Sequence, residues 1–126
     1  MHVEVVTNLI PGINDRLAEL RDLAAWIGDE LSYDVPWHIS RFYPCWRLSH
    51  LTPTAVNRME EAREAALAIG LRYVYLGNIC AHPSNHTYCP RCSRRLITRN
   101  ANEPVQSLLS GNYCPFCGFF VAGRFR

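Results

Sequence analysis

Cys89-Pro90-Arg91-Cys92 and Cys114-Pro115-Phe116-Cys117 are two Cys-x-x-Cys pairs separated by 21 residues. Each pair sets two sulfurs on one tight turn. Two such turns facing each other complete a tetrahedron, the geometry zinc takes with thiolate ligands. The spacing therefore predicts a four-cysteine zinc ribbon held by Cys89, Cys92, Cys114 and Cys117. A rubredoxin-like iron site and a pair of disulfides use the same residues. Gly118 follows the second pair, where the chain must turn back toward the metal, and Ser93 stands at the equivalent place in the first. His82 and His86 lie just upstream and are alternative ligands, though four cysteines already fill a structural site. Ribbons of this size have little core, so the metal supplies much of the folding energy.

Nothing at Met1-His2-Val3-Glu4 resembles a secretory leader, and no apolar run reaches the length of a membrane span. The chain is thus read as soluble and cytoplasmic, a compartment where thiols stay reduced and bind metal. There is no lysine, and all 13 basic side chains are arginine. Residues 1–85 carry a net charge of −3 and residues 86–126 one of +5. A zinc bound by four thiolates lowers the second figure by about 2. The basic balance is too small to argue by itself for nucleic acid.

Ahead of the ribbon, the pattern alternates. Residues 3–7 read as a β-strand, broken by Pro11-Gly12. Asn14 is placed to cap a helix whose apolar stripe is Leu17, Leu20, Ala24, Ile27 and Leu31. A second strand runs from Trp37 to Phe42. Thr52 and Pro53 then open a second helix, with Val56, Met59, Ala62, Ala66 and Ile69 inward and Gly70 as its stop. Arg72 to Leu76 forms the third strand. The fold class is α/β: a β-α-β-α-β parallel sheet over residues 1–79, followed by the zinc ribbon over 80–126, with short strands expected at 96–98, 105–109 and 119–121. Both helices fall on one side of the sheet. The other face stays bare unless the ribbon, a second copy or another chain covers it.

Ligands of parallel sheets bind at the carboxyl ends of the strands. Thr7, Asn8, His38, Ser40, Arg41 and Asn78 gather at that edge. Cys45 and Cys80 also follow strand ends, either as packing residues or as a reactive or metal-binding pair.

Four segments carry a resemblance. Val5-Val6-Thr7-Asn8-Leu9-Ile10-Pro11-Gly12-Ile13-Asn14-Asp15 resembles the sixth-strand segment of radical SAM enzymes related to the activating enzyme of pyruvate formate-lyase. Pro36 to Pro44, Gly70 to Asn78 and the closing ribbon narrow this. Their order is similar to the carboxyl-terminal part of the AmmeMemoRadiSam system radical SAM enzyme.

That resemblance implies a partial TIM-type barrel. It also implies S-adenosylmethionine and a four-iron four-sulfur cluster as cofactors, the cluster seated on a Cys-x3-Cys-x2-Cys loop in an amino-terminal half. Thr7, Asn8, His38 and Arg41 are the cofactor-binding positions it carries over. This chain has no Cys-x3-Cys-x2-Cys, so alone it is not expected to perform radical chemistry. Its expected partner is the amino-terminal radical SAM half or, failing that, another copy of itself. The alternative is a stand-alone zinc-ribbon module that contacts nucleic acid or protein. There Arg91, Arg94, Arg95 and Arg99 would meet phosphate, and Tyr88, Tyr113 and Phe116 would stack on bases.

Overall fold

The computed structural model describes residues 1–125. Three strands, β1 (Val5–Leu9), β2 (Trp37–Arg41) and β3 (Val74–Gly77), lie side by side in chain order and all run parallel. The register sets Val5, Trp37 and Val74 in one row and Thr7, Ile39 and Leu76 in another on the same face. Val6, His38 and Tyr75 form a row on the opposite face, with Asn8, Ser40 and Gly77 in the next. Side chains alternate along a strand, so this register alone decides which residues meet the helices.

Two helices, α1 (Leu17–Trp26) and α2 (Val56–Ile69), cover the first face together. Leu20, Ala24 and Ile27 pack with Met59, Ala62 and Ala66 over Leu9, Trp37, Ile39 and Leu76. Each large apolar side chain fully buried here contributes about 1.5–3 kcal/mol. Helix α1 ends in one π-helical turn, Ile27–Leu31, closed by the Ser32 N–H on the Ile27 carbonyl at 3.0 Å. The Tyr33 ring folds back against two glycines: a Cβ on Gly28 would sit 2.4 Å from it and one on Gly70 3.2 Å away. Gly70 also takes φ 125°, which lets its N–H close the end of α2 on the Ala66 and Leu67 carbonyls.

Both helix starts differ from the sequence expectation. Asn14 does not cap α1. Its side chain accepts the Ile10 N–H at 2.7 Å and donates to the Asn8 carbonyl at 2.9 Å, closing the turn after β1 instead. Thr52 and Pro53 lie outside α2, which begins at Val56. The buried Thr54 replaces them as the structural residue: its hydroxyl accepts the Phe42 N–H and donates to the Leu9 carbonyl. The strands are also shifted toward the carboxyl side of the predicted ranges for β1 and β3, because pairing with Trp37–Arg41 fixes their limits.

The ribbon contains β4 (Thr87–Tyr88), β5 (Arg95–Thr98) and β6 (Gln106–Ser107), paired antiparallel in that order. The expected strand at 105–109 shrinks to Gln106–Ser107. The one expected at 119–121 is replaced by a single bridge between Tyr113 and Phe120. Its backbone is occupied elsewhere: Phe119 C=O accepts the Cys114 N–H, and Val121 N–H donates to Asn112 C=O. Leu96, Ile97 and Val121 form the ribbon's small core with Tyr73 of the sheet unit.

The ribbon docks on the β3 side of the open sheet face. Asn85 Nδ2 donates to the Leu76 carbonyl at 2.7 Å, Tyr75 and Thr87 share a hydroxyl hydrogen bond at 2.8 Å, and Ala122 N–H reaches the Tyr73 hydroxyl. The β1 side remains uncovered, with Val6 69% exposed. No helix among the described residues is long and apolar enough to cross a membrane.

Candidate metal centre

The two Cys-x-x-Cys turns are built alike. Ser93 N–H donates to Cys89 C=O and Gly118 N–H to Cys114 C=O, both at 2.9 Å. Cys89 N–H and Cys114 N–H donate to the carbonyls of Arg94 and Phe119, again both at 2.9 Å. These bonds fix the first sulfur of each pair inward. Cys89 and Cys114 are buried, while Cys92 and Cys117 are half-buried.

All four Sγ atoms lie within 4.8 Å of one another. Cys89 Sγ stands 3.5 Å from Cys117 Sγ, and Cys92 Sγ stands 3.7 Å from Cys114 Sγ. A disulfide needs about 2.05 Å. Four sulfurs at about 2.3 Å from a central zinc are about 3.8 Å apart along each tetrahedral edge. The arrangement thus fits a four-coordinate metal ion such as zinc and leaves the thiols unbridged.

The electrostatics of the cluster point the same way. Desolvation raises the Cys114 thiol, but the Phe116 and Cys117 N–H groups and the neighbouring thiols outweigh it and bring Cys114 down to about 7. The Phe119 N–H lowers Cys117, yet desolvation and the three adjacent sulfurs push it up to about 12. One thiolate forms readily and then opposes the next. A cation at the centre removes that repulsion.

The two nearby histidines serve the loop instead. His82 Nε2 lies 3.0 Å from Glu60 Oε1 and its Nδ1 accepts the Ser84 N–H, while His86 Nδ1 accepts the Arg99 N–H at 3.0 Å. Among the described residues neither belongs to the metal-binding group. Cys45 and Cys80 are exposed and stand outside it as well.

The four residues read as cofactor contacts divide between the two faces of the sheet. Asn8 and His38 lie on the open face. Thr7 lies in the helix-packed row, where its hydroxyl accepts the Trp37 indole N–H at 3.0 Å. Arg41 reaches toward the entry to α2: its Nε donates to the Thr54 carbonyl at 2.8 Å and its Nη1 to the Tyr43 hydroxyl. Ser40 and Asn78 do meet at the carboxyl edge, through a 3.0 Å hydrogen bond.

The sequence reading missed Glu4. Its carboxylate bridges His2 and His38, each at 2.8 Å. The His2 hydrogen bond contributes most to holding this carboxyl below its ordinary range, desolvation opposes, and His38 adds to the lowering. The available signal was alternation: Glu4 shares the parity of Val6 and Asn8, and so the face of His38. His38 in turn stacks on Tyr75, with ring centroids 5.1 Å apart and planes at 23°.

Of the ribbon arginines, Arg91 lies over the Phe119 ring at 5.1 Å and Arg94 over Phe116 at 4.6 Å. Arg99 lies over Tyr75 at 5.5 Å and bonds Thr87 Oγ1 at 2.7 Å.

An uncharacterized protein of Methanocaldococcus jannaschii, MJ0808, is 37% identical to this chain over 118 residues, which cover 92% of the chain. The chain spans about a third of that relative's length, 35%. No protein-family model matches the sequence, and no solved structure matches it.

Proposed function

We propose that this segment forms the closing strands and zinc ribbon of a radical SAM enzyme of the AmmeMemoRadiSam type, completed by an amino-terminal half that carries the cluster. The observation behind this reading is the unfinished sheet. Helices cover one face, while Val6 and Asn8 lie exposed on the other beside half-buried His38. A parallel sheet needs both faces covered. Further strands added at the free edge of β1 would curl that polar face into the inside of a barrel. A relative whose length exceeds the matched segment nearly threefold supports the existence of such strands.

On this reading Asn8 and His38 face the interior, whereas Thr7 and Arg41 hold Trp37 and the Thr54 loop in place. Zinc in a closed four-thiolate site stabilises the ribbon and takes no part in catalysis. The cysteines of this chain form no Cys-x3-Cys-x2-Cys loop, so its own residues offer no seat for a four-iron cluster. S-adenosylmethionine and the cluster belong to the completed assembly.

Anaerobic reconstitution of this chain with the remaining segment of the Methanocaldococcus relative tests the idea. A stable complex that binds iron and yields 5′-deoxyadenosine and methionine from S-adenosylmethionine is expected. Absence of a complex, or a complex without cleavage, removes the reading.

A nucleic-acid-binding ribbon is the second reading, favoured by exposed Tyr113, Phe116 and Phe120 beside a basic surface. The stacking of Arg91 and Arg94 on ribbon aromatics weighs against it. Binding to single strands at low salt that collapses as salt rises would support it, and no binding at low salt would remove it.

A further inference from the structure

A cleft of about 500 Å³ lies between the open sheet face and the ribbon, toward the amino ends of the strands. The four cysteines do not line it, and of the carboxyl half of the sheet only Leu76 does. Its walls include Glu4, His38, Tyr75, Arg99, Arg124 and Phe125. Two features of these walls are chemical. First, they are flat and aromatic: Tyr75 carries His38 stacked on it, and Phe125 lies on the tail opposite. Second, their charges do not cancel. Both oxygens of Glu4 are engaged by His2 and His38, so this carboxylate is satisfied within its own network. Arg99 and Arg124 remain as cations without a carboxylate partner among the described residues.

Arg99 is held like a recognition group. Its guanidinium lies over the Tyr75 ring, and among the described residues its side-chain hydrogen bonds all leave from Nη1, to Thr87 Oγ1 and the Asn85 carbonyl. The Nε and Nη2 edge therefore has no hydrogen-bond partner among the described residues, and that edge matches the two oxygens of a carboxylate or phosphate. A cleft of this size, partly apolar and with a few fixed polar groups, has the anatomy of a small-molecule site.

The geometry points to a binding site for a small aromatic or heterocyclic acid, its ring beside the His38–Tyr75 stack and Phe125 and its anionic group on Arg99 and Arg124. The site is independent of the radical SAM reading. It sits at the opposite end of the strands and uses none of the residues invoked there except His38, whose role here is to pack on Tyr75.

The test is a nuclear magnetic resonance titration of the zinc-loaded chain with benzoate, using benzyl alcohol as the uncharged ring. Benzoate is expected to shift the amides of His38, Tyr75, Arg99 and Ala122 saturably, and benzyl alcohol to bind at least tenfold more weakly. Arg124→Gln, an exposed position, is expected to weaken benzoate at least fivefold with the spectrum otherwise intact. Arg99→Gln should weaken it more, and Arg94→Gln on the far side should leave it unchanged. Non-saturable shifts, shifts that include Arg91, Arg94 and Arg95 outside the cleft, or equal affinity in Arg124→Gln would overturn the proposal.

Discussion

Ser93 and Gly118 occupy the same place in the two metal-binding turns and adopt the same left-handed backbone, φ 61° and 73°. In each case the N–H closes on the carbonyl of the first cysteine four residues earlier. Glycine takes this conformation without a steric penalty, whereas a residue with a Cβ meets one of about 1–2 kcal/mol. Ser93→Gly is therefore expected to raise ribbon stability by about 1 kcal/mol, and Ser93→Val to lower it by more. Competition for metal with a chelator, followed in time, checks both directions.

Thr54 ties two parts of the chain that the helices alone would not fix. Its hydroxyl accepts from Phe42 N–H and donates to Leu9 C=O, and the side chain is 1% exposed. Thr54→Val preserves the shape and leaves both backbone groups without a partner. Each such loss costs about 1–3 kcal/mol. Urea unfolding should show Thr54→Val destabilised within that range or above it, and Thr54→Ser much less affected.

Tyr73 links the sheet to the ribbon tail and should make the protein sensitive to alkali. Burial is the main cause that pushes its phenol up to about 12, while the Ala122 N–H pulls the other way. Burial raises the Tyr75 phenol too. A free phenol ionises near 10. The folded value is raised, so the protonated forms stabilise the fold fully below about 10. That contribution fades as pH climbs through the folded value. Stability followed from pH 9 to 12 should fall, and Tyr73→Phe should flatten the fall while abolishing the last step in the tyrosine absorbance titration. An unchanged profile in Tyr73→Phe would contradict the assignment.

Gly28 and Gly70 flank the Tyr33 ring from two helix ends. Gly28→Ala would place its Cβ 2.4 Å from that ring. The Tyr33 ring is partly exposed and can swing aside, so the cost falls at the low end of overpacking, about 1 kcal/mol. Thermal unfolding of Gly28→Ala should show that loss, and pairing it with Tyr33→Ala should recover part of it.

The ribbon cysteines and the β-α-β-α-β order were readable because they depend on local spacing and period, which survive folding unchanged. Gly70 ended α2 as expected, since a stop needs only the residue that permits its backbone. The helix starts were misjudged where side chains had a better offer: Asn14 bonded the turn at Ile10, and Thr54, two residues past the expected cap, was taken by Phe42 and Leu9. Phe119 to Val121 has the composition of a strand, but its backbone answers Cys114 and Asn112. The division of Thr7 and Arg41 from Asn8 and His38 follows from strand parity and could have been drawn. The same parity puts Glu4 on the face of His38, but their hydrogen bond and the cleft against Arg99 arise only when residues far apart in sequence are docked.

The ribbon's two halves meet at four sulfurs placed to share one ion. Native mass spectrometry of the intact chain, calibrated by elemental analysis, measures this outright. One zinc per chain, no iron, and loss of folded signals from the ribbon when the metal is withdrawn are the predicted results. A mass lower by two or four protons with no metal, or a ribbon that stays folded after metal is removed, would contradict it.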